Sequence, residues 1–297
     1  MSPREGYVTT PDRVRLYFER EGDGPRVVLV PNGFHFFDDL RPIARGRTLV
    51  CFDLRNRGRS EAIADRSRAA RGIEHDVEDL EALRQSFGAE IDVIGHSYVG
   101  TSVIRYAARF PAHLGRVISI GPMPPYHAKF YPTHLTNSDA TLRDVGAQLA
   151  ALEPQRSSLD PEEFCRRFWD VLRVIYVADP ADADKVRWGR CDLPNERGFM
   201  KHWNENILPS IQAWRPTREQ LAAATAPVLL VHGRKDRSSP YGGGRDWASL
   251  LPNARLLTIE NAAHAPWIEA RASVLDAIDT FLSGGWPEAA EKVERAE

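Results

Sequence analysis

Long apolar runs, cysteine clusters and an excess of either charge are all missing from this sequence. The longest apolar stretches, VVLV and PVLLV, are strand-sized and fall far short of the roughly 20 residues that a membrane-spanning helix needs. The opening MSPREGYVTT holds no apolar core of the kind a secretory signal carries, so a cytoplasmic protein without membrane attachment is expected. The three cysteines, Cys51, Cys165 and Cys191, form no CxxC or Cys/His cluster. Their odd number speaks against a disulfide framework or a structural zinc, and buried thiols are expected. Lys and Arg number 39 against 41 Asp and Glu, a net charge of -2 that offers no attraction to nucleic acid or an anionic membrane. No P-loop, dinucleotide fingerprint or metal-ligand spacing is present, so neither cofactor nor metal is expected. The partner that remains is a small-molecule substrate, met by a monomer or a homodimer.

What the chain does contain is enough apolar material, 42% of 297 residues, for one large core with a smaller helical annex. GYVTT, VRLYFE, RVVLV and TLVCFD read as strands separated by turn residues. From Gly72 the period becomes helical, with Ile73, Val77, Leu80 and Leu83 on one face until Gly88 stops it. IDVIG is then a strand, Tyr98 to Phe110 a helix stopped by Pro111, and RVISIG another strand. Strand, helix, strand with largely apolar strands predicts an α/β fold with a mostly parallel sheet covered by helices on both faces. After Pro122 about one hundred residues lack strand alternation, too many for an unstructured connection. Asp160-Pro161-Glu162-Glu163 announces a helix carrying Phe164, Phe168, Val171, Leu172 and Ile175. Residues 124–224 are therefore expected to form a helical cap inserted into a core of 1–123 and 225–297. APVLLVHG, a helix around Trp247, RLLTIE and a helix from Pro266 to Leu282 complete the core, and the polar tail after it is expected to fray.

GHSYVG, at 95–100, sits where an apolar strand meets a helix, so that a sharp turn lifts Ser97 above the sheet edge. Here the chain resembles the α/β-hydrolase family, whose nucleophile elbow is Gly-X-Ser-X-Gly, with Val99 in place of the last Gly and Gly100 one position later. The resemblance implies an acid at Asp236 in HGRKDRSSP and a base at His264 in NAAHAPWIE, where Ala263 replaces the usual Gly. Taken alone, Asp236 reads as an Asx-turn residue and His264 as one of nine histidines; the order Ser97, Asp236, His264 is what the fold expects. The chemistry requires these types: a serine hydroxyl is a poor nucleophile until an imidazole accepts its proton, and a carboxylate must fix the tautomer and stabilise the imidazolium. Oxyanion donors are then implied at the backbone of Tyr98 and of Phe34 in VPNGFHFF. DLRNRGRS, at 53–60, resembles the family's Asp-X-Arg-Gly-X-Gly-X-Ser loop, with Asn56 and Arg57 varying around Gly58 and Ser60, and is given a structural role rather than a phosphate site.

Within the family the chain looks most like the cap-bearing carboxylesterases and proline iminopeptidases. The His-Gly-Gly-Pro-Gly loop of the latter is absent, which tilts the expectation towards hydrophobic or aromatic esters. A serine at the elbow speaks against the dehalogenase and epoxide hydrolase branches, which need Asp there. An aminopeptidase, a cofactor-independent oxygenase or lyase and a non-catalytic receptor stay open as alternatives on the same fold. His35 and Trp267 are expected to line the pocket, with Phe34, Phe36 and Phe37 near it by sequence, and Glu205 in HWNEN is the cap carboxylate to test for a free substrate amine, its plainer reading being a solvated helix position.

Overall fold

The apolar runs become eight strands: β1 (Glu5–Thr9), β2 (Arg15–Glu21), β3 (Arg26–Pro31), β4 (Arg47–Phe52), β5 (Ile91–His96), β6 (Leu114–Ile120), β7 (Val228–Gly233) and β8 (Ala254–Ile259). The computed structural model describes residues 4–63, 65, 71–88, 90–126, 131–136, 139–187 and 190–294. Phe130 and Trp188, two aromatics of the 124–224 segment, lie outside these residues. The strands form one sheet in the order β1-β2-β4-β3-β5-β6-β7-β8. β1 and β2, and β2 and β4, pair antiparallel, and the other neighbours pair parallel.

Alternation along the strands explains why they read as continuous apolar runs. Leu29, Val50, Phe52, Val93, Val117 and Leu230 join one core with α1 (Ile73–Phe87), α2 (Tyr98–Arg109) and the later α5 (Tyr241–Leu250). Val28, Val30, Leu49, Ile94, Ile118 and Val231 join a second core with α6 (Arg271–Leu282). Both sheet faces are covered, so the central strands are largely apolar, and the polar residues they bury, Asp92, Ser119 and His232 among them, are hydrogen-bonded. The helix expected from Pro266 breaks at Ala270, leaving a short Pro266–Glu269 turn before α6. The tail does not fray over its described part. Trp286 packs on Phe281 with ring centroids 4.9 Å apart, and Glu291 bridges to Leu256.

Between β6 and β7 the described residues contain helices and no strand. The main ones are α3 (Ala140–Leu152) and α4 (Pro161–Leu172), followed by short helices at Pro194–Arg197, Phe199–His202, Leu208–Ala213 and Arg218–Leu221. Asp160 caps α4 as its sequence announced, accepting from the backbone of Glu162 at 2.9 Å. The chain widens into a π turn at Trp203–Ile207. Pro209 accounts for it: proline has no N–H and its ring crowds the carbonyl four residues back, here Glu205, so the turn before it opens.

The expectation of three buried thiols needs correction. Cys165 in α4 and Cys191 are disulfide-bonded, Cα atoms 5.8 Å apart, and Cys51 alone is a free buried thiol. An odd count and a 26-residue separation carry no pairing signal, because closeness of the two Cα atoms is a product of the folded insertion. Among the described residues no helix is long and apolar enough to cross a membrane.

Candidate active site

β5 delivers Ser97 into α2 through a backbone at φ 59 and ψ −130, a conformation that costs a non-glycine residue energy and persists only where its surroundings enforce it. Two glycines make the bend fit. A Cβ on Gly95 would stand 2.6 Å from the Val99 carbonyl oxygen, and one on Gly100 would stand 2.6 Å from Ser119 Oγ. Val99 is meanwhile buried in the core. The departure from Gly-X-Ser-X-Gly is thus explained: the close approach of helix to sheet occurs at Gly100, while Val99 packs in the core and borders the cavity next to Ser97.

The turn after β7 carries Asp236, which is fully buried. Its Oδ1 accepts the backbone N–H groups of Ser238 and Ser239 at 2.8 and 2.7 Å, the Asx-turn of the plainer reading. Its Oδ2 lies 2.7 Å from His264 Nδ1, so one carboxylate serves both roles. Burial pushes this acid up, but the facing His264 and His232 outweigh it and hold the group at about 2, ionised throughout the working range. His264 comes from the loop after β8 and is itself fully buried, with Nε2 lacking a hydrogen-bond partner among the described residues. The ring of Tyr176, from the insertion, meets the imidazole edge-on at 4.8 Å. Gly121, at the end of β6, leaves the space in which imidazole and carboxylate meet.

Ser97 borders a cavity of about 200 Å³ lined also by Asn32, His35, Arg57, Tyr98 and Tyr176, with Trp169, Phe199, Met200 and Trp203 from the insertion. Tyr98 is the first residue of α2, so its N–H has no acceptor within the helix. Phe34 sits in the short turn Gly33–His35 after β3, next along the chain to the lining residue His35. His35 Nε2 lies 3.2 Å from His96 Nδ1, and His96 Nε2 donates to the His264 carbonyl oxygen at 3.0 Å. Burial first, then the charges of Arg57 and His264, push His35 down to about 3. Burial also takes His96 well below its usual value, so this histidine pair carries no charge.

Three expectations about the pocket change. Trp267 is buried beneath the histidines rather than lining the cavity, its ring centroid 4.7 Å from that of His96 and 5.0 Å from that of Phe36. Phe36 and Phe37 are likewise core residues. Glu205 is exposed on the π turn, away from the lining, because that turn aims Trp203 inward instead. The carboxylate that the insertion buries among the described residues is Glu196, paired with the lining residue Arg57: its Oε1 and Oε2 each accept at 2.9 Å, from Nε and Nη2 respectively. Arg57 lies in the DLRNRGRS loop, where the motif was legible but not the fact that one arginine turns inward. Nothing in LPNERGF marks Glu196 beforehand. His232, buried against Asp236 Oδ2 at 3.2 Å, was also missed, since a histidine at a strand end carries no signal of its own.

Known proteins give this arrangement a context. The family model for the alpha/beta hydrolase fold matches residues 30–270. The chain is 27% identical over 281 residues to a bifunctional esterase/perhydrolase of Acinetobacter calcoaceticus, covering 89% of this chain and 95% of that one. It is 28% identical over 265 residues to a proline iminopeptidase of Saccharolobus solfataricus, covering 85% and 82%. In three dimensions it is similar to an esterase from Exiguobacterium antarcticum, with a TM-score of 0.70 at 17% identity over 94% of this chain and 99% of that one. With the family model spanning most of the sheet and all three of Ser97, Asp236 and His264, the chain belongs to the α/β-hydrolase fold family.

Proposed function

We propose that this protein is a serine hydrolase that cleaves small to medium, mainly apolar or aromatic carboxylic esters through an acyl-enzyme. The observation that carries the reading is the buried Asp236–His264 contact of 2.7 Å, with His264 Nε2 left unpartnered and Ser97 held at a strained elbow on the adjoining cavity. His264 takes the Ser97 proton as the hydroxyl attacks the ester carbon, while ionised Asp236 fixes the Nδ1–H tautomer and stabilises the imidazolium. The backbone N–H groups of Phe34 and Tyr98 receive the developing oxyanion. The imidazolium then protonates the departing alcohol, and water activated by the same imidazole releases the acid.

The helices between β6 and β7 act in this reading as a cap that roofs the site at the carboxyl edge of the sheet. Aminopeptidase action, suggested by the iminopeptidase relative, finds less support. A substrate ammonium needs an uncompensated buried carboxylate, and Glu196 is already neutralised by Arg57. The disulfide weighs against the cytoplasmic expectation, since such bridges persist best in oxidising compartments.

Ser97→Ala should leave the fold intact and lower kcat by roughly 10⁴- to 10⁶-fold. A fluorophosphonate should label Ser97 in the parent and fail to label the variant. Undiminished labelling or turnover without the hydroxyl would remove Ser97 from the mechanism, and a preference for proline arylamide over aryl esters would replace the substrate class.

A further inference from the structure

Hydrogen-bond accounting on the cavity wall leaves an excess of donors. Arg57 is buried, with its guanidinium stacked on Phe199 at 3.8 Å from the ring centroid. Of the five N–H groups a guanidinium carries, three have acceptors: Nε and Nη2 give one each to Glu196, and Nη1 gives one to the Tyr98 hydroxyl at 2.9 Å. The remaining two have none among the described residues. The Tyr98 hydroxyl oxygen already accepts from Arg57 and from Asn32 Nδ2 at 2.8 Å, so its own O–H is also left to donate. Asn32 meets the Tyr98 hydroxyl with its amide N–H, its Oδ1 being turned to the Leu54 N–H at 2.9 Å, so it adds a donor rather than an acceptor here. Arg57, Tyr98 and Asn32 all line the cavity that Ser97 borders. Buried donors without acceptors are rare in folded proteins and mark a place where a ligand or water supplies the oxygen.

Charge narrows what that ligand is. The bidentate Glu196 cancels Arg57, and the neighbouring His35, His96 and His202 are held neutral by burial and by Arg57 and His264. A carboxylate entering here would find no uncompensated positive charge and would face Glu196. A ketone, ether or second ester oxygen accepts the same hydrogen bonds without bringing a charge. Around the donors, Trp169, Phe199 and Trp203 supply flat apolar walls, with the Trp169 and Phe199 rings 17° from parallel.

Building on the ester-hydrolase reading, we infer that the cavity selects esters bearing a second, uncharged acceptor oxygen, which Arg57 and the Tyr98 hydroxyl receive while Glu196 holds the guanidinium in place. Arg57 is in this account a specificity-determining residue, and the Glu196 pair supplies orientation rather than charge for the substrate.

The test compares kcat/KM for methyl hexanoate with that for methyl oxohexanoates carrying the ketone at successive carbons, and with monomethyl adipate as the charged analogue. A hydrogen bond from a charged donor is worth enough to favour the best oxo ester by about 10- to 100-fold in the parent, with the anionic ester poorest. The ratio of oxo to plain ester is taken within each variant, so that any general loss of turnover cancels. It should fall to near unity in the Arg57→Met/Glu196→Gln double variant, which removes both charges together and so avoids stranding either, and by a smaller factor in Tyr98→Phe. Where turnover is too slow to read, protection of Ser97 from the fluorophosphonate by the same esters gives the ratio. Equal handling of plain and oxo esters by the parent, a preference that survives the double variant, or a preference for the anionic ester would each overturn the inference and leave the hydrolase reading standing. Failure of the fluorophosphonate to label Ser97 in the parent would overturn both.

Discussion

Gly121 adopts φ 51, and a Cβ there would stand 3.0 Å from His264 Nδ1 and 3.3 Å from Asp236 Oδ2. Gly121→Ala therefore combines a modest backbone strain with a displaced imidazole. It should lower kcat by about 10- to 100-fold, while the melting temperature falls by only a few degrees, about what 1–2 kcal/mol of strain produces. Equal loss of activity and structure, read by circular dichroism alongside kcat, would show that Gly121 serves the fold alone. A second residue-scale consequence concerns Asp76, buried under α2 with Ser102 Oγ donating to it at 2.6 Å. Burial, aided by the neighbouring Asp79, raises it from 3.8 to about 7 against the opposing Ser102, Arg57 and Arg55. Between those values the folded chain binds a proton that the unfolded chain has released. Its stabilising contribution is therefore full below about pH 4 and is lost as pH rises through about 7. Asp76→Asn keeps an acceptor for Ser102 and removes the titration, so its melting temperature relative to the parent should rise from pH 5 to pH 8. A difference that does not change with pH would mean that Asp76 does not ionise in this range.

At the scale of elements, the elbow between β5 and α2 shows how a motif can shift by one position without losing its geometry. The family pattern places a glycine at 99, yet the contact that forbids a side chain is at Gly100 against Ser119. Restoring the family glycine by Val99→Gly should harm this protein. It empties a buried site and adds a flexible residue to the first turn of α2, costing about 2–4 kcal/mol, or roughly 5–10 °C in melting temperature, with no gain in kcat. A Val99→Gly protein as stable as the parent would show that the slot is loosely packed. The π turn at Trp203–Ile207 is the other element with a visible consequence, since it places Trp203 on the cavity and Glu205 in solvent.

For the molecule as a whole, the inserted helices share the main apolar core and are tied to it by polar contacts that include Glu196 to Arg57, Asn195 to the Ser60 carbonyl at 2.7 Å, Glu269 to the Ala178 backbone at 2.6 Å, and the Tyr176 carbonyl to Ala265 N–H at 2.9 Å. The Cys165–Cys191 bridge closes the chain between α4 and the residue five positions before Glu196. Closing a loop of this size removes about 3 kcal/mol of unfolded-state entropy, so a Cys165→Ser/Cys191→Ser protein should melt roughly 5 °C lower than the oxidised parent. A reductant should lower the parent towards the variant and leave the variant unchanged. Identical melting of the parent with and without reductant would show that the two sulfurs are not bridged in solution.

The apolar runs were sufficient to announce the strands, since burial on both faces keeps them largely apolar, and the strand-to-helix switch at GHSYVG was enough to single out Ser97. Asp236 and His264 were reachable because each follows a legible strand in an order the fold imposes. Chain order says nothing, however, about which side chains from distant segments converge. Glu196 and Arg57 stand 139 residues apart, Cys165 and Cys191 give no pairing signal, and Trp267 and Glu205 differ from expectation because the packing of one histidine layer and one widened turn set their directions. Local periodicity is a property of neighbours along the chain and survives translation into structure. The donor excess on the cavity wall exists only once β3, the loop after β4, α2 and the inserted helices have been folded against one another, and so it was the tertiary structure alone that decided it.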